Sequence, residues 1–392
     1  MTRTATIPGM NAQDKMAIDR LRDRRPLDSA TVDRFLARHE VPIVEGARCT
    51  FLYRGEADEV ALVHRMFGRP DHLPLRRLPG TDLWYLVMEL PGGSRVEYQL
   101  EVARGGQREQ INDPLNPRLA RSPLGSSSVL YAAGHEIPDW TRPDPEARPG
   151  SLGEVVVASR ALRRDCRVTL YRPARFRRSA RYPLLIVHDG GDYLEFAQAK
   201  TILDNLIHRL DVAELVAAFV YPGDRLAEYA NSAAHAQFLT AELLPQLETE
   251  LPLAGAPSGR CLMGASFGAV ASLSTAYRHP EVYGSLLLQS GSFVFTGVGN
   301  EDDGRPVFEP VVRFMDRYRA SPRPVAGRLF VSCGQFEPLI TVNRSMVGVF
   351  EAAGMSVRYI ETPDGHSWEN WRDQLRAGLS WIFPGPRKSY SE

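Results

Sequence analysis

The chain has almost no lysine. Of its 47 basic residues only Lys15, Lys200 and Lys388 are lysine; the rest are arginine. GC-rich coding is the simplest source of that skew, and arginines gripping an anionic ligand the sharper one. Net charge is also lacking, because 47 acidic residues balance the 47 basic ones. That balance argues against a dedicated nucleic-acid binder, which carries a basic excess. No stretch approaches the ~18 consecutive apolar residues of a membrane span. Residues 1–25 hold no apolar segment of the signal-peptide kind, so a cytoplasmic location is expected. Cysteine is scarce: Cys49, Cys166, Cys261 and Cys333 are scattered, with no Cys-x-x-Cys pair. Neither a zinc site nor a disulfide framework follows from that spacing. No internal repeat is visible, and no metal or organic cofactor is expected.

What is present is enough chain for two domains. Residues 1–40 are polar with weak helical periodicity and read as an N-terminal helical arm. From 41 to 137 the pattern is strand-like. Val96, Tyr98, Leu100 and Val102 alternate with polar neighbours, as in a half-buried strand. Glycine and proline clusters separate such runs, which predicts a small all-β, Ig-like sandwich. Residues 138–153 hold prolines in a polar context and read as a linker. From 154 to 392 the rhythm becomes strand–helix alternation. Its near-continuous apolar strands predict a mostly parallel sheet covered on both faces. Val155–Val157 and Val168–Tyr171 have no helix between them, so the sheet should open with an antiparallel hairpin. Eight strands with that opening fit an α/β-hydrolase domain.

Gly264-Ala-Ser266-Phe-Gly268 is the strongest local signal. The apolar run Cys261–Met263 precedes it and a helix-forming segment follows, which is the strand–turn–helix context that a nucleophile elbow needs. A serine hydroxyl is a weak nucleophile and requires a base. In this fold the order is Ser, acid, His, and His279 and His366 are the two histidines after Ser266. The helix begun at the nucleophile carries His279 away, towards a surface or C-cap role. His366 follows the last strand, on the edge where Ser266 sits, and is assigned as general base. Glu337, after the strand Leu329–Ser332, is the favoured acid; Asp364, two residues before His366, is the competitor. Glu301–Asp303 reads as a solvated loop.

An oxyanion hole needs two convergent N–H groups. Phe267 is expected to supply one, and Gly191, in the loop His188-Asp-Gly-Gly-Asp-Tyr193, the other. Substrate contacts are expected from Tyr193, Arg225 and Trp368. Arg225 has an alternative, a salt bridge to Glu228. Trp368 and Trp371 have another, packing in a helix face. His188, Asp189 and Asp192 lack metal-ligand spacing.

With these pieces in place, the second half resembles the esterase group of α/β-hydrolases that includes enterochelin esterases, feruloyl esterases and mycolyltransferases. Pro183–Gly190, Arg225–Glu228, Ala241–Pro245, Gly264–Gly268, Gln289–Ser292, Gly334–Glu337 and Gly365–Trp368 carry the likeness. Thr50–Tyr53, Gly80–Trp84 and Asp113–Pro117 resemble the β-sandwich of enterochelin esterases. The resemblance spans roughly residues 40 to 384. It implies cytoplasmic hydrolysis of the ester bonds of a catecholate siderophore trilactone, or of its ferric complex, with the first domain helping to cap the site. It also implies a small-molecule partner and no nucleic acid or membrane; it says nothing of oligomeric state. The alternatives are the same chemistry on feruloyl or acetyl sugar esters, an acyltransferase variant, and a non-catalytic binding protein. The scarcity of lysine means that any charged pocket for an anionic complex must be built from arginine.

Overall fold

The computed structural model describes residues 15–297 and 306–386. Glu301–Asp303 lies outside the described residues, as does the start of the helical arm. The chain divides into two compact units, residues 1–120 with 125–136, and 121–124 with 137–392.

The first unit is a sandwich. One sheet is built on Arg48–Arg54 and Leu83–Glu89, the other on Glu59–His64, Arg95–Arg104 and Gly125–Tyr131. Alternate residues of Arg95–Arg104 point inward, as the period of two requires, and Tyr98 meets Phe51 of the other sheet edge-on with ring centroids 4.9 Å apart. The helical arm is two short helices, Ala17–Arg22 and Ser29–Leu36. Asp28 caps the second by accepting from the Thr31 N–H. Ile18, Leu21, Val32 and Phe35 bury their side chains with Leu52 and Leu83 of the sheet, so these helices belong to the core of this unit.

The second unit holds an eight-stranded sheet. Its strands are labelled β1 (Ser151–Ser159), β2 (Arg164–Arg172), β3 (Leu184–Val187), β4 (Val216–Val220), β5 (Arg260–Ala265), β6 (Ser285–Gln289), β7 (Arg328–Gly334) and β8 (Ser356–Thr362). They run in the order β1-β2-β4-β3-β5-β6-β7-β8. The first two strands form the expected antiparallel hairpin, β2 pairs antiparallel with β4, and the remaining pairs are parallel. Leu184 and Ile186 of β3 enter one core while Leu185 and Val187 enter the other, so both faces are covered. This is an α/β-hydrolase sheet.

The stretch read as a linker packs onto this unit. Trp140 is buried beside Tyr171 and Leu185, and Asn205 donates to the Trp140 and Arg142 carbonyls. The Gly150 N–H donates to Asp204. All four cysteines are free and buried.

Candidate active site

β5 ends at Ala265, and the helix Phe267–Arg278 starts two residues later. Ser266 makes the turn with φ 56° and ψ −121°. A left-handed φ at a residue with a Cβ costs strain of order 1–3 kcal/mol and persists only where neighbours enforce it. Here the Ser266 N–H donates to the Gln289 carbonyl of β6 at 2.9 Å. A Cβ on Gly264 would collide with the Gly268 backbone, so strand and helix close together only with glycine there. The Ser266 hydroxyl is half-exposed and lies 3.1 Å from Ser292 Oγ.

Parallel pairing brings the carboxyl ends of β5 to β8 to one edge. Glu337 follows β7 and is fully buried. His366 follows β8 and reaches solvent. His366 Nδ1 stands 2.7 Å from Glu337 Oε2. The other carboxylate oxygen, Oε1, accepts from Ser290 Oγ at 2.6 Å and from the Gly334 N–H at 2.8 Å. Asp364 instead accepts from the Gly365 N–H within its own loop. Of the two acids the sequence offered, Glu337 is therefore the one on His366 Nδ1.

The segment Gln289–Ser292 ties these pieces together. Gln289 holds the nucleophile turn, Ser290 holds the acid, and Ser292 meets the nucleophile hydroxyl. Trp371 supports the same segment. Its Nε1–H donates to Ser290 Oγ at 2.9 Å, and its ring meets the His366 ring edge-on at 4.9 Å. Ser290 and Ser292 had no assigned role in the sequence reading. Their place in the Gln289–Ser292 segment that carries the family likeness, directly after a strand, was the signal that marked them.

On the other side of the nucleophile, β3 leads into the short helix Gly190–Glu195, with Asp189 at φ 52° in front of it. The N–H groups of a helix's first turn have no intrahelical carbonyl to bond. Gly191 stands in the first turn of this helix and Phe267 in that of the nucleophile helix, so both expected oxyanion donors occupy such positions. A side chain on Gly191 would strike the Tyr221 ring.

The expected substrate contacts fare differently. Tyr193 is fully buried; its hydroxyl donates to Gln289 Oε1 at 2.7 Å, and burial holds its pKa well above the usual phenol range. The expectation that it touches substrate is corrected: the loop is helical there and turns Tyr193 into the core. Trp368 is also mostly buried, packed between Tyr193, Phe196 and Trp371, so it too is a core residue. Arg225 forks onto Asp189 at 2.7 and 2.8 Å, while Glu228 takes a fork from Arg164 at 2.9 and 2.8 Å. The alternative for Arg225, an ion pair with Glu228, is thus replaced by two other pairs. Arg225 still reaches a cleft of about 420 Å³ next to Gly191, lined also by Arg167, Asp192, Glu195 and Tyr221. Burial, and after it the Asp189 charge, raises the Asp192 pKa. His188 and Asp189 are engaged by protein partners, the Met263 carbonyl and Arg225. His279 is the C-cap residue of the nucleophile helix.

An α/β-hydrolase sheet with a serine at the β5 elbow, a histidine after β8 and a carboxylate after β7 defines a hydrolase of the α/β class. The family model described as "Putative esterase" matches residues 159–382. The chain belongs to that esterase family and is a carboxylic ester hydrolase. Among curated relatives it is similar to the iron(III) enterobactin esterase of Dickeya dadantii, 27% identical over 89% of this chain and 92% of that protein. The iron(III) enterobactin esterase of Escherichia coli O6:H1 is 24% identical over 78% of this chain and 80% of that protein. Among solved structures, the enterobactin esterase of Shigella flexneri crystallised in the presence of enterobactin aligns with a TM-score of 0.69 and 21% identity, covering 86% of this chain and 92% of that one. A ferulic acid esterase aligns with a TM-score of 0.53 and 18% identity, over 60% of this chain and 98% of its own. No described helix is long and apolar enough to cross a membrane.

Proposed function

We propose that the chain is a serine esterase working through an acyl-enzyme, and that its substrate is a catecholate siderophore trilactone of the enterochelin type. The observation that carries the mechanism is the hydrogen bond from His366 to the buried Glu337. A carboxylate only accepts, so His366 Nδ1 carries the proton and Nε2 presents its lone pair. In the acylation step Ser266 Oγ bonds to the ester carbonyl carbon and its proton passes to His366 Nε2. Glu337 stabilises the imidazolium. The Phe267 and Gly191 N–H groups stabilise the oxyanion. Collapse breaks the ester C–O bond, and the leaving alkoxide takes the proton from Nε2. Water then repeats the sequence on the acyl-enzyme, freeing the acid and Ser266. No step requires a cofactor, and any iron enters as part of the substrate.

The siderophore reading is supported by the enterobactin esterase relatives, whose similarity runs through both units, whereas the ferulic acid esterase likeness spans a smaller share of the chain. Such a role belongs in the cytoplasm and ends in iron release. In functional terms we divide the chain as 1–40, 41–137, 138–153 and 154–392, with the chemistry in the last. The test is incubation with a catecholate trilactone, with and without iron, beside a feruloyl sugar ester. Mass spectrometry should find dihydroxybenzoyl-serine units. Cleavage of the feruloyl ester alone would reject the siderophore reading.

A further inference from the structure

Beneath the nucleophile turn runs a row of buried polar side chains that the chemistry above does not use. His188 directly follows β3, one residue before Asp189, and is fully buried. Its Nδ1 lies 3.0 Å from the Met263 carbonyl of β5. A carbonyl only accepts, so Nδ1 carries the proton. Ser272 Oγ, 3.1 Å from the same nitrogen, gives its own proton to the Gly268 carbonyl at 2.9 Å and is a second acceptor for Nδ1–H. Burial, helped by His235, lowers the His188 pKa to about 3, so the ring is neutral and its Nε2 is bare. That bare nitrogen lies 3.1 Å from His235 Nε2. Two ring nitrogens share a hydrogen bond only when one holds the proton, and here it must be His235.

His235 is itself buried, ringed by His188, Tyr229 and Phe238. Its Nδ1 faces Glu228 Oε2 at 3.7 Å, and Glu228 is gripped by Arg164 and by the Gly223 N–H. His235 Nδ1 makes no hydrogen bond to that carboxylate, so the bonded row runs from His235 through His188 to the Met263 carbonyl and Ser272.

We infer that His235 is a positioning residue for both donors of the oxyanion hole. Its Nε2–H fixes His188 as the Nδ1–H tautomer. In that tautomer the His188 ring ties the end of β3 to β5 and, through Ser272, to Gly268. The Gly191 side and the Phe267 side are thereby held in one register. A Cβ on Gly268 would lie 3.2 Å from His188 Cβ, so the nucleophile turn packs directly on this ring. The inference rests on the oxyanion-hole reading above. Its energetic basis is that a shift of about 1 Å in such a constellation costs on the order of 10²-fold in rate.

The test compares His235→Phe with His235→Gln and adds ¹⁵N NMR of the histidine rings. Phe keeps the ring volume and offers no donor; Gln offers an N–H to His188 Nε2. On a p-nitrophenyl ester, His235→Phe should lose about tenfold or more in kcat with KM changed less than about twofold, and His235→Gln should return to within about threefold of the native rate. Wild-type protein without substrate should show His188 as the neutral Nδ1–H tautomer. Equal kcat for the two variants, or an Nε2–H tautomer of His188 in the wild type, would overturn the inference. If His235→Phe does not fold, the tautomer and the His235→Gln rate decide it. Failure of the esterase reading would appear separately, as a wild type that hydrolyses no ester or a Ser266→Ala variant as active as the native chain.

Discussion

Glu337 Oε2 lies 2.7 Å from His366 Nδ1, and the carboxylate is wholly buried while the imidazole reaches solvent. A carboxylate only accepts, so three donors around it fix its orientation and its partner's tautomer. The relationship orders the two candidate acids by geometry. Glu337→Gln should lower kcat on a p-nitrophenyl ester by on the order of 10²–10⁴-fold, as expected when the imidazole loses its orienting carboxylate. Asp364→Asn should cost less than about tenfold. Steady-state kinetics of the two folded variants checks this, and the opposite ranking would transfer the role.

Ser290 gives the next prediction. It passes a hydrogen bond from Trp371 Nε1 on to Glu337 Oε1. Ser290→Ala removes one donor to a charged acceptor, a bond worth about 1.5–3 kcal/mol. A loss of about threefold to thirtyfold in kcat with little change in KM is expected. In the background of Glu337→Gln the same substitution should cost much less, since the two residues act as a unit. Full additivity in that double-mutant cycle would remove Ser290 from the catalytic machinery.

Arg225 is expected to matter for folding as well as for substrate. Its fork neutralises Asp189, whose side chain is 3% exposed. Arg225→Gln leaves that carboxylate buried and unpaired. We expect a loss of about 2 kcal/mol, below the usual figure for a buried pair because the guanidinium reaches solvent. Arg225→Lys should recover only part of it, as an ammonium cannot reproduce the fork. Urea unfolding measures both; an unchanged midpoint for Arg225→Gln would show the pair to be dispensable.

Glu228 predicts an acid limit. Burial works to raise its pKa, but the Arg164 fork and the Gly223 N–H outweigh it and hold the carboxyl at about 2. A folded-state pKa below the unfolded value means that the stabilisation is complete above the unfolded pKa. It is lost as pH falls from about 4.5 towards 2. Glu228→Gln should thus be less stable than wild type at pH 7, by about 3 kcal/mol at most, with the gap closing across that window. A gap that stays constant down to pH 2.5 would contradict the assignment.

Much of this was legible in the sequence, for physical reasons that differ residue by residue. The sheet was, because strands buried on both faces read as apolar runs between helices. Ser266 and His366 were, because an elbow and a strand-end loop are local patterns. Tyr193 was misplaced, since nothing in His188–Tyr193 shows that a short helix begins at Gly190 and turns the ring inward. Trp140 was hidden in a proline-rich stretch whose composition suggests a linker, although its side chain packs beside Tyr171 and Asn205 holds its carbonyl. The partners of Arg225 and Glu228 lie 36 and 64 residues away, and no spacing rule reaches across strands that far.

The most direct test of the central claim is peptide mass spectrometry after treatment with a fluorophosphonate, run beside p-nitrophenyl ester hydrolysis by wild type and Ser266→Ala. The account predicts a single adduct on Ser266 and a folded Ser266→Ala variant at least ~10³-fold slower than wild type. An adduct on another residue, or hydrolysis that survives in Ser266→Ala, would contradict it.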